Sequence, residues 1–146
     1  MSEAGERPAF QGLPIGRRVL IAEDEPAMLE VISSVLRERG YQVATVSTGT
    51  ELNQALSQAP RARFDLIVSD VRMPGASGLD VIDRLRESGD LTPAVIVTAF
   101  PGADVLERAH GLDVRLLAKP FELDRLRAAV DWAIRSNAPK QRWVTR

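Results

Sequence analysis

Five short, almost wholly apolar runs recur along the chain, each followed by a segment with helical spacing, and that alternation leaves few folds open. The runs occupy residues 19–22, 41–46, 64–69, 94–98 and 114–118. A strand apolar on both faces is buried on both faces, and strands that alternate with helices run parallel because each helix returns the chain to the same edge. The intervening segments carry helix signals. Pro26 suits a first turn, and Leu29, Ile32 and Leu36 keep a period near 3.6 up to a stop at Gly40. Thr48 and Glu51 form a capping-box pattern ahead of Leu52, Ala55, Leu56 and Ala59, with Pro60 as the stop. Leu79, Ile82 and Leu85 mark a third helix that ends near Gly89, and Pro101-Gly102 opens a weaker fourth around Val105 and Ala109. Leu123, Leu126, Val130 and Ala133 put the last helix over about residues 121–134. The expected fold is α/β: a three-layer, doubly wound, five-stranded parallel sheet with five helices.

At 146 residues and 45% hydrophobic composition the chain suits one domain. We divide it into a flexible leader (1–16), the domain (17–136) and a basic C-terminal tail (137–146). Nineteen Lys and Arg against 20 Asp and Glu argue against nucleic-acid binding through this domain, which calls for a basic excess. Without cysteine there is no disulfide, thiolate metal site or thiol nucleophile. The apolar runs fall far short of the about 20 residues of a membrane span, and Glu3 and Glu6 do not fit a signal peptide. A cytoplasmic domain with no membrane partner is expected.

Polar residues cluster where the strands end: Glu23 and Asp24 after the first, Asp70 after the third, Thr98 at the fourth and Lys119 after the fifth. Singly, an Asp after a strand is usually a turn or cap residue. Together they converge on the carboxyl edge, where open parallel sheets bind their ligands. Three carboxylates about 4 Å apart repel by roughly 4 kcal/mol per pair at an effective dielectric of 20. Hard oxygen donors with no Cys or nearby His favour Mg²⁺ or Mn²⁺ over zinc. A carboxylate nucleophile, a divalent ion, an ammonium and a hydroxyl describe a site for attack by Asp on a phosphoryl group.

The segments Val19-Leu-Ile-Ala-Glu-Asp-Glu-Pro26, Asp70-Val-Arg-Met-Pro-Gly75, Val97-Thr-Ala99 and Lys119-Pro-Phe121 resemble the receiver domain of bacterial two-component response regulators, of the chemotaxis-regulator type. The resemblance covers about residues 17–136. It implies a flavodoxin-like strand order 2-1-3-4-5 and a Lys119–Pro120 bond in the cis form. It makes Asp70 the phosphoacceptor, phosphorylated by a sensor histidine kinase or a histidine phosphotransfer protein. Glu23, Asp24 and Asp70, with the main-chain carbonyl of Arg72, would hold Mg²⁺. Thr98 would be the switch hydroxyl and Lys119 the phosphate-contacting ammonium. Output would pass to a downstream protein, or to a second copy in a homodimer, through the face built from the fourth helix, fifth strand and fifth helix. Such a protein is no enzyme beyond its own aspartyl phosphorylation and dephosphorylation.

The chain departs from the family pattern at three positions. Leu116 stands where an aromatic switch residue is usual, either because it is an edge-strand core residue or because the protein relays phosphoryl groups with little conformational output. Arg72 and Phe100 flank the phosphoryl site where side chains influence the hydrolytic water, and neither readily orients one. His110, the single histidine, reads as a helix C-terminal residue near Gly111. Trp132 reads as core or interface. Arg135, Lys140, Arg142 and Arg146 make the basic tail, solvated or set against an acidic partner.

Two other functions compete. A receiver-like binding scaffold without phosphorylation has no use for the intact set Glu23, Asp24, Asp70, Thr98 and Lys119. A Mg²⁺-dependent aspartyl-phosphate hydrolase would carry a second Asp two residues after the nucleophile, where Arg72 stands, and a substrate cap for which no length is spare. The initial Met and leader favour a stand-alone or N-terminal receiver over one excised from within a longer protein.

Overall fold

The structure, a computed structural model, describes residues 17–58 and 63–144, those after 136 as backbone only. The expected leader and the second helix's Ala59 and Pro60 stop lie outside these residues, as does Arg146.

Strands and helices alternate: β1 (Arg18–Ala22), α1 (Pro26–Glu38), β2 (Gln42–Val46), α2 (Gly49–Ser57), β3 (Leu66–Asp70), α3 (Gly78–Glu87), β4 (Ala94–Thr98), α4 (Ala103–Leu112), β5 (Arg115–Ala118) and α5 (Leu123–Val144). The five strands form one sheet in the order β2-β1-β3-β4-β5, every neighbouring pair parallel. The doubly wound α/β fold is therefore as expected.

Alternation within each strand feeds two cores. Val19 and Ile21 of β1, Leu66 and Val68 of β3, and Val95 and Val97 of β4 pack with Ile32, Leu36, Leu126 and Val130 under α1 and α5. Leu20, Ile67 and Ile96 project the other way, onto Leu52, Leu79, Ile82 and Ala109 of α2, α3 and α4. The three central strands are buried on both faces, whereas edge strands β2 and β5 mix exposed and covered positions. That contrast follows from burial of parallel sheets between helices.

The termini of the helices carry their own chemistry. Pro26 occupies the first turn of α1, and Gly40 turns the chain at φ 92° after it. Thr48 caps α2, its Oγ1 accepting from the Glu51 N–H at 3.0 Å. The Glu51 carboxylate reaches back to the Ser47 N–H at 2.9 Å, one residue before the cap. α4 ends at Leu112 and is capped by Asp113 in the left-handed conformation (φ 61°). His110 lies in that last turn, as expected.

Helix α5 continues to Val144 instead of ending near Ile134, so residues 137–144 are helical backbone rather than irregular tail. The apolar period marked only the buried part of the helix; burial and helix length need not end together. Trp132 packs at the rim of the first core with the Arg115 guanidinium 4.9 Å from its ring centroid.

Candidate functional site

Reversal of strand order between β1 and β3 opens a crevice at their carboxyl ends, and the acidic residues stand there. Glu23 extends β1 by one more ladder bond, its N–H donating to the Val46 carbonyl at 3.1 Å, and its side chain is fully buried. Asp24 follows on the exposed side of the turn. Asp70 ends β3 and is buried. One carboxylate oxygen from each of Glu23, Asp24 and Asp70 lies within 4.8 Å of the others.

Lys119 enters from the opposite edge of the sheet. Its N–H donates to the Thr98 carbonyl at 2.8 Å, which continues the β4–β5 ladder, and the Lys119–Pro120 peptide is cis. The ammonium donates to Asp70 Oδ2 at 3.0 Å and to Glu23 Oε2 at 3.3 Å, with Glu23 Oε1 at 3.1 Å. Burial pulls the Lys119 pKa down, but the hydrogen bonds to Asp70 and Glu23 outweigh it and hold the pKa above the ordinary value. Burial raises the Glu23 carboxyl, against the opposing effect of bonds from Lys119 and the Glu25 N–H.

Glycines press the loop after β3 into place. The first residue of α3 is Gly78, and a Cβ there would lie 2.2 Å from the Asp70 carbonyl oxygen and 2.5 Å from Ser69 Oγ. Only a residue without a side chain lets α3 start so close to the strand end. Gly49 lies closer still to its neighbour, a Cβ there falling 1.7 Å from the Ala76 carbonyl oxygen, and its N–H donates to the Pro74 carbonyl at 2.8 Å. The Asp70 carboxylate accepts from the Arg72 N–H at 3.3 Å through Oδ1.

The sequence placed Glu23, Asp24, Asp70 and Lys119 together, and the structure does so. Thr98 stands at the same edge, almost fully buried, but its hydroxyl is engaged locally, accepting from the Phe100 N–H at 3.1 Å. Arg72 contributes its N–H to Asp70, while its guanidinium lies 5.0 Å from the Phe100 ring centroid. Phe100 itself is 62% exposed. That stack joins across the rim the two residues that depart from the family pattern beside Asp70 and Thr98. Their separation in sequence gives no local signal of contact. Leu116 pairs with Ile96 across the ladder and packs at the rim of the second core, which fits an edge-strand core residue.

The donor set fits a hard divalent cation. Three carboxylates face one ammonium, and buried Glu23 Oε1 lies 3.1 Å from that shared ammonium without accepting a hydrogen bond from it. One positive charge against three negative ones leaves the cluster under-compensated, and a bound cation supplies the difference. All three side-chain donors are oxygen, the ligand preference of Mg²⁺.

Residues 19–131 match the family model for the response regulator receiver domain. The chain belongs to this family. As a receiver domain of two-component systems, it is 35% identical over 125 residues to the uncharacterized transcriptional regulatory protein YkoG of Bacillus subtilis, covering 84% of this chain and 53% of that protein. It is 35% identical to the transcriptional regulatory protein PdtaR of Mycobacterium tuberculosis over 82% of this chain and 58% of that one. The receiver thus spans a little over half the length of these relatives. Among solved structures it is similar to the response regulator TrrA of Thermotoga maritima, crystallised with Mg²⁺ and BeF (30% identity, TM-score 0.66, covering 79% of this chain and 96% of that one). The chemotaxis response regulator CheY4 of Vibrio cholerae is similar at 28% identity and TM-score 0.69, over 81% and 98% of the two chains. Among the described residues, no helix of this receiver is long and apolar enough to cross a membrane.

Proposed function

We propose that this receiver accepts a phosphoryl group from a phosphohistidine onto Asp70. An Asp70 carboxylate oxygen attacks phosphorus, the P–N bond to the imidazole breaks, and the freed histidine nitrogen keeps its electron pair. Glu23, Asp24 and Asp70, with the main-chain carbonyl of Arg72, would hold Mg²⁺, which supplies charge neutralisation for the transferring oxygens. The Lys119 ammonium, 3.0 Å from Asp70 Oδ2, is placed to ion-pair with the phosphoryl oxygens once the carboxylate carries the phosphoryl group as an acyl phosphate. The Thr98 hydroxyl would exchange its bond from the Phe100 N–H for one to the phosphoryl group. The single observation that carries the proposal is the convergence of Glu23, Asp70 and Lys119 from three strand ends on one buried spot.

The donor would be a sensor histidine kinase or histidine phosphotransfer protein, and the compartment the cytoplasm. The protein would act catalytically only on its own phosphorylation and dephosphorylation. Output would pass through the α4–β5–α5 face, to a partner protein or a second copy. Without an aromatic switch at Leu116, output through that face would take another route, or the receiver would relay phosphoryl groups with little rearrangement.

Incubation with acetyl phosphate and Mg²⁺, read by intact mass, tests the proposal. A stable gain of one phosphoryl group that maps to Asp70 supports it. No gain with acetyl phosphate or with a panel of histidine kinases would leave a binding scaffold as the function.

A further inference from the structure

The amino-terminal edge of the sheet lies about 17 Å from the acidic cluster, the length of a five-residue strand. It holds a cleft of about 230 Å³. Phe64, Pro93 and Ile134 contribute apolar surface to its wall, and Arg17 and Arg63 contribute guanidinium-bearing side chains. Asp65 is the one acidic residue in the lining. Its Oδ2 is occupied by the Arg18 N–H at 2.7 Å. The Thr92 hydroxyl is likewise turned to Asp90.

Among the described residues no carboxylate forms an ion pair with Arg17 or Arg63. The neighbouring Arg18 adds a third cation, its guanidinium 4.6 Å from the Phe64 ring centroid, and Arg17 lies 5.9 Å from that of Tyr41. Stacking on a ring limits the freedom of a guanidinium, so less ordering is needed when an anion binds, although Arg18 Nη1 already donates to the Arg63 carbonyl at 3.3 Å. Two other arginines of the domain meet acids, Arg108 pairing with Asp80 and Arg127 with Asp124. The amino-terminal edge is where three arginines gather around one engaged carboxylate.

We propose that this cleft binds a small organic oxyanion, a phosphate monoester with an apolar or aromatic body. A dianionic phosphate matches two planar donor forks, and the Phe64, Pro93 and Ile134 surface receives the body. The cleft is smaller than the roughly 300–1,000 Å³ of drug-sized pockets, which suits a one-ring ligand rather than a dinucleotide. The site is independent of the phosphoacceptor end and does not rest on its function.

The test is a titration of the whole chain with phenyl phosphate in metal-free buffer at constant ionic strength, followed by ¹H–¹⁵N NMR. Saturating shifts at the amides of Arg17, Phe64, Asp65 and Thr92, with those of Asp70 and Lys119 unmoved, are expected. Arg17→Gln with Arg63→Gln should weaken binding at least tenfold and leave labelling by acetyl phosphate unchanged. The single Arg63→Gln variant, altered at an exposed position, serves if the double variant does not fold. Inorganic phosphate should bind more weakly than phenyl phosphate, for want of the apolar contact. Non-saturating shifts, shifts confined to the Asp70 end, affinity unchanged in Arg63→Gln, or equal binding of the two phosphates would each overturn the proposal.

Discussion

The ammonium of Lys119 lies 3.0 Å from Oδ2 of Asp70, although 49 residues separate them in sequence. The contact bridges the carboxyl end of the central strand β3 and that of edge strand β5. Replacing Asp70 by Asn keeps the shape of the side chain but removes the anionic nucleophile. Asp70→Asn should abolish labelling by acetyl phosphate while the circular dichroism spectrum stays native. Full labelling of that variant would remove Asp70 from its role.

Mg²⁺ should stabilise the protein by mass action, by about 1.4 kcal/mol when its concentration is ten times Kd. The gain should shrink in Glu23→Gln and Asp24→Asn, each of which takes one charge from the cluster of three carboxylates. Thermal melts across a Mg²⁺ series check this. A wild-type midpoint indifferent to Mg²⁺ would count against the metal site.

Gly78→Ala is expected to damage both stability and chemistry. Its Cβ would meet the Asp70 carbonyl oxygen at 2.2 Å, so the strand end or the helix start must shift. Overpacking of this kind costs about 1–3 kcal/mol. Urea melts should show that loss, and acetyl phosphate labelling should slow in the fraction that remains folded. Unchanged labelling would show that the site tolerates displacement of α3.

Thr48→Ala removes the acceptor for the Glu51 N–H and should cost about 1 kcal/mol in urea denaturation. The Glu51 carboxyl is held below its ordinary value of 4.5, chiefly by the Ser47 N–H. Its contribution is therefore present above pH 4.5 and is lost as pH falls through the lower folded-state value. Glu51→Gln should flatten that part of the stability–pH curve, and an unchanged acid limb would refute the assignment.

Hydrolysis of an aspartyl phosphate needs a water aligned opposite the leaving carboxylate. Phe100 offers no hydrogen bond, and Arg72, stacked on it, can donate but cannot act as a base. Self-dephosphorylation should be slow, with return to a histidine partner preferred over loss to water. Phe100→Ser should speed the decay severalfold in a mass-spectrometric time course. Decay within seconds in the wild type, unchanged in the variant, would overturn this.

Much of the fold was legible because parallel strands covered on both faces write themselves as continuous apolar runs, and β4 was read to the residue. The acids and Lys119 were legible because strand ends converge by topology, whatever the intervening sequence. What escaped was polar. Nothing near Arg72 announces Phe100, and the capping box puts the Glu51 carboxylate at the Thr48 N–H rather than at the Ser47 N–H that it meets, one residue earlier. The extent of α5 escaped for another reason: its apolar period fades where the helix leaves the core, while the helix continues to Val144.

The placement of Lys119 has a consequence for biosynthesis. A chain emerging from the ribosome exposes Glu23, Asp24 and Asp70 well before the residue that bridges Glu23 and Asp70 has been made. Until β5 docks on β4, the acidic trio stands without its ammonium. On the proposed chemistry, a chain that stops short of β5 should take up label from acetyl phosphate more slowly than the whole domain.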